Sequence, residues 1–169
     1  PNFYLTKLKD PQVQSLYKVF SNYLDSLKIC TQKIMIGVSG GADSLCLLFF
    51  SKCYALKNNT KLYPVIIDHK LRKESTNEAK NLKFKLEKNF KINCKILSKR
   101  ISKIDHNIQS YARDLRYDLF LKECNKHKIN YLLLGHHKDD LIENFFIRFL
   151  RGSGLKGLVS FNKNISDYD

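Results

Sequence analysis

No two cysteines in this sequence form a C-x-x-C pair. Cys30, Cys46, Cys53, Cys94 and Cys124 are scattered and odd in number, so neither a disulfide framework nor a cysteine-held metal cluster is implied, and ordinary thiols in a reducing compartment are expected. No stretch approaches the ~18 consecutive apolar residues of a membrane span, and Pro1-Asn2-Phe3 opens no apolar signal run. The chain therefore reads as soluble, with no membrane partner. Acid is also scarce, with 16 Asp+Glu against 30 Lys+Arg and a net charge of +14. Such an excess points to a polyanionic partner, nucleic acid first and an anionic membrane surface second. Its spread along the chain suits a broad basic face better than a tail.

The most informative stretch is also defined by something missing. After the apolar run Ile34-Met35-Ile36-Gly37-Val38 comes Ser39-Gly40-Gly41-Ala42-Asp43-Ser44, then Leu45, Leu47, Leu48 and Phe49. This reads as strand, tight turn and helix, a setting in which backbone N–H groups and the helix dipole seat a phosphate. No lysine follows the glycines, so the turn is not G-x-x-x-x-G-K-S/T. Gly37, Gly40 and Gly41 are also wrongly spaced for the dinucleotide fingerprint G-x-G-x-x-G. Asp43 stands where phosphate needs a counter-charge, which makes sense if it holds Mg²⁺ bridging to the phosphates, with Ser39 and Ser44 donating hydroxyls. The same residues also read simply as a Ser/Asp cap on a core helix.

At 169 residues and 43% hydrophobic, the chain suits one domain with a sheet covered by helices on both sides. The periodicity predicts a lead-in helix over 13–27, strands over 34–38, 62–67, 92–97 and 129–134, and helices ending near Leu56 and covering 76–90, 108–124 and 141–150. Ser75 is the expected cap of the third of these helices, with Glu78 completing a capping box. Strands alternating with helices give an α/β, doubly wound, mostly parallel sheet. In strand order 3-2-1-4, the loops after strands one, two and four open on one edge. That edge collects Asp68 and His69, which can touch ribose or base or can merely be a polar loop. It also collects Gly135-His136-His137-Lys138-Asp139-Asp140, whose Asp140 would share a metal with Asp43. The paired histidines suggest zinc as an alternative, although no cysteine or third histidine lies nearby. Arg113 and Arg116, three apart on a helix, can grip a phosphate or carboxylate, or form a solvated, ion-paired face. Arg148, Arg151 and Lys156 flank Gly152 and Gly154 in a basic loop suited to a phosphate backbone, or only to a surface turn.

Ser39-Gly40-Gly41-Ala42-Asp43-Ser44 resembles S-G-G-x-D-S, the signature of PP-loop ATP pyrophosphatases, which cleave ATP between the α and β phosphates. Four further motifs narrow the resemblance. Asp68-His69-Lys70-Leu71-Arg72 is similar to D-H-x-L-R, and Ala112-Arg113-Asp114-Leu115-Arg116-Tyr117 to A-R-x-x-R-Y. His136-His137-Lys138-Asp139-Asp140 with Glu143 is similar to H-H-x-D-D-x-x-E, and residues 151–158 to R-G-S-G-x-x-G-L. In this order they resemble the tRNA(Ile)-lysidine synthetase family. Two positions depart from its pattern: Gln109 replaces a common acid, and Phe161 stands where methionine is frequent.

The resemblance implies an adenine nucleotide alpha hydrolase-like fold and ATP with Mg²⁺ as cofactors. It also implies ligation of free L-lysine to carbon 2 of the wobble cytidine of CAU-anticodon tRNA(Ile), through an adenylated cytidine. By motif, Ser39, Gly40, Gly41, Ala42, Asp43 and Ser44 would hold the phosphates, joined by Asp68 and His69, and Asp43 and Asp140 the metal. His136, Arg113 and Arg116 would serve the cytidine and lysine steps, with Arg72, Arg148, Arg151 and Lys156 on tRNA. Residues 1–169 would be an N-terminal catalytic domain truncated at its C-terminal end, without the C-terminal tRNA-binding domains. The expected setting is a bacterial cytoplasm or an organelle of bacterial descent, and family members can dimerise. A tRNA thiolase shares the signature but typically carries C-x-x-C pairs, and an amidotransferase-type synthetase gives no reason for +14. A nucleotide- or RNA-binding fragment without full activity is the alternative from another class.

Overall fold

Elements form where apolar periodicity and local capping agree. The computed structural model describes residues 3–70, 72, 74–99 and 108–135. They lie in the first of two compact units, which ends at Gly135. Helix α1 spans Phe3–Lys7 and α2 Pro11–Ser26; strand β1 is Lys33–Gly37, helix α3 Ala42–Asn58, strand β2 Lys61–Asp68 and helix α4 Ser75–Phe90. Strand β3 (Lys95–Ser98), helix α5 (Ile108–His127) and strand β4 (Tyr131–Leu134) follow. At the start of α2, the Asp10 carboxylate accepts from the N–H groups of Gln12 and Val13, and Pro11 occupies the first turn. Among the described residues, no helix is long and apolar enough to cross a membrane.

The four strands are all parallel in the order β3-β2-β1-β4, as the sequence pattern predicts. Pro64 sits in an interior strand without breaking it, because the ladder to β3 begins only at Val65↔Lys95. Strand alternation divides the core in two. Ile34, Ile36 and Ile66 pack with Leu24, Leu48, Tyr54 and Leu86 from α2, α3 and α4. Met35 and Val65 pack with Phe120 and Cys124 of α5. Helices thus cover both faces of the sheet, as a doubly wound fold requires.

Two predicted strands begin later than the apolar pattern suggests, for one reason. Ile92 and Ile129 are buried, but each completes the end of a helix before its strand starts. Lys128 adopts φ 53°, and its N–H donates to Asn125 O while that of Ile129 donates to Cys124 O. This is a Schellman closure with lysine in place of glycine. Lys28 and Ile29 close α2 on Asp25 and Leu24 in the same way. After α4, Lys91 is left-handed and the Ile92 N–H reaches Leu86 O. The apolar residue following each helix is buried as part of the cap, and ladder pairing starts beyond it.

The capping box expected at Ser75 does not form. Glu74 occupies the N-cap position without a side-chain cap bond, and Ser75 is the first residue of α4. The Ser75 hydroxyl lies 3.0 Å from Asp68 Oδ1 and 2.9 Å from the Arg72 carbonyl. Glu78 is drawn away by the Arg72 guanidinium at 3.1 Å.

At the opposite end of α5, Glu123 is 8% exposed and joins Lys95 of β3 to His127, whose Nε2 lies 2.9 Å away. Burial opposes its ionisation, but the hydrogen bond and charge of Lys95, followed by those of His127, hold its carboxyl below the usual glutamate range. Stabilisation from this group is therefore present above the unfolded-state value and lost as pH falls through the folded-state value. Glu123→Gln is expected to cost on the order of 1–2 kcal/mol near neutral pH. Chemical denaturation of both proteins should show the gap closing as pH drops below about 4.

Candidate functional site

In a parallel sheet every strand delivers its following loop to the same edge. With order β3-β2-β1-β4 the chain reverses direction between β1 and β4, the switch point where open α/β sheets bind ligands. Gly135, immediately after β4, packs there against the start of α3. A Cβ at this position would lie 2.7 Å from both the N and Cα of Ser44. Only glycine allows the two backbones this approach, a feature the sequence reading did not single out. Its only signal was a glycine ending a strand directly before a polar run.

The phosphate turn is built around Ser44. Ser44 is 2% exposed, whereas Ser39, Gly40, Gly41, Ala42 and Asp43 are all exposed. Its hydroxyl accepts from the N–H groups of Ser39 and Gly40, each at 3.2 Å, and from the Ser39 hydroxyl at 3.0 Å, and it donates to Gly41 O at 2.9 Å. Ser44 thus folds the turn, its one proton engaged within it on Gly41 O. Gly40 takes φ 89° over Leu82 of α4, and a Cβ there would sit 3.2 Å from Leu82 Cδ2. Gly41 is the N-cap and has no side chain to close the first turn of α3. An exposed helix start with two glycines and no side-chain cap fits a phosphate group. Asp43 is the acid in this first turn. Among the described residues, no group of three or more His, Cys, Asp or Glu is placed to hold a metal ion.

The loop after β2 is held by Asp68. It is 2% exposed and accepts from Thr76 Oγ1 at 2.7 Å, the Lys70 N–H at 2.9 Å and the Ser75 hydroxyl. Burial opposes ionisation, yet these bonds, led by Thr76, hold its carboxyl below the usual aspartate range. A carboxylate so occupied orders its own loop and sets the place of His69 beside it. Its neighbour His69 faces Arg116 of α5, with Arg116 Nε and Nη2 both 3.3 Å from His69 Nε2. Burial, then the Arg116 charge, pushes the His69 pKa down, against a weaker opposing pull from Asp68. Arg113 lies over the Tyr117 ring, 5.9 Å from its centroid.

The described residues therefore gather Ser39 to Ser44, Asp68, His69, Arg113 and Arg116 on the loops and helix around this edge. Arg72 is exposed and paired with Glu78. His136, Asp140, Arg148, Arg151 and Lys156 lie outside the described residues, as does the helix expected over 141–150.

A sheet of this order, with a glycine turn at the switch point and no Walker lysine, defines a class of nucleotide-binding α/β protein. The sequence profile of the PP-loop domain matches residues 10–168, and the chain belongs to that family. Among curated proteins it is similar to tRNA(Ile)-lysidine synthases. It is 45% identical over 130 residues to that of Orientia tsutsugamushi (strain Boryong), covering 77% of this chain and 29% of the relative. It is 38% identical over 157 residues to that of Rickettsia rickettsii (strain Sheila Smith), covering 88% and 31%. The chain thus spans about a third of the length of the curated relatives it matches. Among solved structures, a U34-tRNA thiolase from Methanococcus maripaludis, carrying a 4Fe-4S cluster, superimposes with a TM-score of 0.65 at 20% identity over 76% of this chain and 46% of that one. At that identity the likeness shows the fold alone.

Gly135→Ala tests the close approach. The added methyl meets backbone rather than a flexible side chain, so the cost is expected to be about 1–3 kcal/mol. Displacing the start of α3 should weaken ATP binding roughly tenfold, equivalent to about 1.4 kcal/mol, as read by thermal denaturation and nucleotide titration.

Proposed function

We propose that this chain carries the ATP-using region of an enzyme that joins lysine to the wobble cytidine of CAU-anticodon tRNA(Ile), forming lysidine. The observation that carries the reading is the similarity to tRNA(Ile)-lysidine synthases over most of this chain. The geometry supports it by bringing a phosphate turn and an arginine-bearing helix to one sheet edge. The N–H groups at the start of α3, which has no side-chain cap, would take the ATP phosphates, and Asp43 and Asp140 would hold Mg²⁺, which would supply neutralisation of the charge that develops as pyrophosphate leaves. Once cytidine is adenylated, AMP is a good leaving group, and the neutral ε-amine of lysine displaces it at carbon 2. Arg113, Arg116 and His136 serve these two steps. Exposed Arg72, with Arg148, Arg151 and Lys156, grips tRNA phosphates, which accords with the net charge of +14. A thiolase reading gains nothing from the cysteine spacing, because no two cysteines form a C-x-x-C pair, and burial pushes the thiols of Cys53 and Cys94 up to about 11 and about 12.

The test is incorporation of labelled lysine into CAU-anticodon tRNA(Ile) with ATP and Mg²⁺, using methionine tRNA with the same anticodon as control. Label should enter only the isoleucine tRNA and fall about 10²-fold or more in Asp43→Asn. Equal labelling of both tRNAs, or full activity in Asp43→Asn, overturns the assignment.

A further inference from the structure

His69 and Arg116 come from motifs 47 residues apart in the chain, yet two nitrogens of one guanidinium converge on a single imidazole nitrogen. Arginine only donates, so His69 Nε2 must hold a lone pair and the ring proton must sit on Nδ1 in a neutral imidazole. Nε and Nη2 form the side edge of the guanidinium. With that edge on His69, the end edge, made by Nη1 and the second hydrogen of Nη2, has no partner among the described residues and is shaped for bidentate contact with an oxyanion.

We propose that His69 is a positioning residue: as neutral imidazole it fixes the side edge of Arg116, so that the end edge meets an oxyanion of the substrate. This rests on the reading above that Arg116 serves the ligation. The arrangement starts at Asp68, whose three hydrogen bonds pin the turn into α4 and so set the ring next to it. The charged and titratable groups acting on the pair are Asp68 from the loop and Arg113 and Tyr117 from α5, with Lys70 acting in turn on Asp68. An imidazolium at His69 would face the guanidinium with an N–H instead of a lone pair, so the contact exists only above the pKa of His69. That value lies below the ordinary histidine value, so the contact is intact at neutral pH and opens as pH falls. The oxyanion is either a phosphate of the adenylated intermediate or the carboxylate of lysine.

Two measurements test this independently. In ¹⁵N NMR of the intact chain, His69 should show the Nδ1–H tautomer, and its pKa should rise toward the ordinary value in Arg116→Gln. The opposite tautomer, or a pKa unmoved by that substitution, overturns the contact whatever the reaction proves to be. In activity, His69→Ala should lower kcat about 10–100-fold. His69→Gln, whose amide oxygen replaces the Nε2 acceptor, should recover to within roughly threefold of the parent and flatten the acid limb of the pH profile. A glutamine variant as weak as the alanine variant overturns positioning. Loss in tRNA-dependent ATP–pyrophosphate exchange identifies the phosphate, whereas loss confined to lysine transfer identifies the carboxylate. If the parent ligates no lysine, the functional reading fails while the NMR result still decides the contact.

Discussion

One hydroxyl holds the phosphate turn in shape. Ser44 is in the first turn of α3, and through its Oγ it gathers the N–H groups of Ser39 and Gly40 and ties back to Gly41 O. A turn that satisfies its own amides this way is preorganised before any anion arrives, which spares ordering entropy on binding. The same residue is where Gly135 brings the end of β4 within contact of the helix backbone. The turn's conformation and the width of the switch-point crevice are therefore set at one place, and neither can change without the other.

Charge is handled differently from shape. A Walker loop carries its counter-charge as a lysine within the turn, whereas here the turn offers only dipoles and the acidic Asp43. Positive charge must then come from elsewhere, and on the reading proposed above α5 supplies it through Arg116, which meets His69 of the loop after β2. A long arginine reaching from another element needs support, because its rotamer freedom would otherwise be lost on binding. Half-buried beside His69, Arg116 has already lost much of that freedom. The desolvation that depresses its pKa also strengthens any anion contact it makes in a low-dielectric cleft.

The sheet was legible because its signals are redundant. Ile34, Met35 and Ile36 carry both strand propensity and the continuous apolar run of a strand buried on both faces, and the helices between strands leave a parallel sheet as the economical arrangement. The turn was legible because two adjacent glycines before an apolar helix have few other uses. What failed was local and polar. Ser75 and Glu78 fit a capping box on spacing alone, but Asp68 and Arg72, seven and three residues before Ser75, compete for the same groups and win. The ties of Asp68 to Ser75 and Thr76 were not legible because donors seven and eight residues away carry no spacing signal. Ile92 and Ile129 looked like strand residues because burial in a helix cap and burial in a ladder leave the same apolar mark. Gly135 was missed because a clash that exists only across space has no sequence spacing.

The shortage of acid gains meaning from where the described acids are used. Asp10 caps α2, Asp25 accepts from Tyr54 Oη at 2.6 Å, and Asp68 is consumed by its loop. Glu78 pairs with Arg72, Glu87 with Lys83, and Glu123 with Lys95 and His127. Each of these carboxylates is tied to a structural partner, and the 16 acids together leave a net charge of +14 against the 30 basic residues. Asp43, exposed in the first turn of α3, is the acid kept at the phosphate turn. A surface with this balance repels itself and gains stability from a polyanion that releases counterions on binding. A carboxylate beside bound phosphates is favoured when a cation joins them. On the reading proposed above, the basic surface meets the tRNA while Asp43 meets Mg²⁺ brought in with ATP, so both charge demands fall within one reaction.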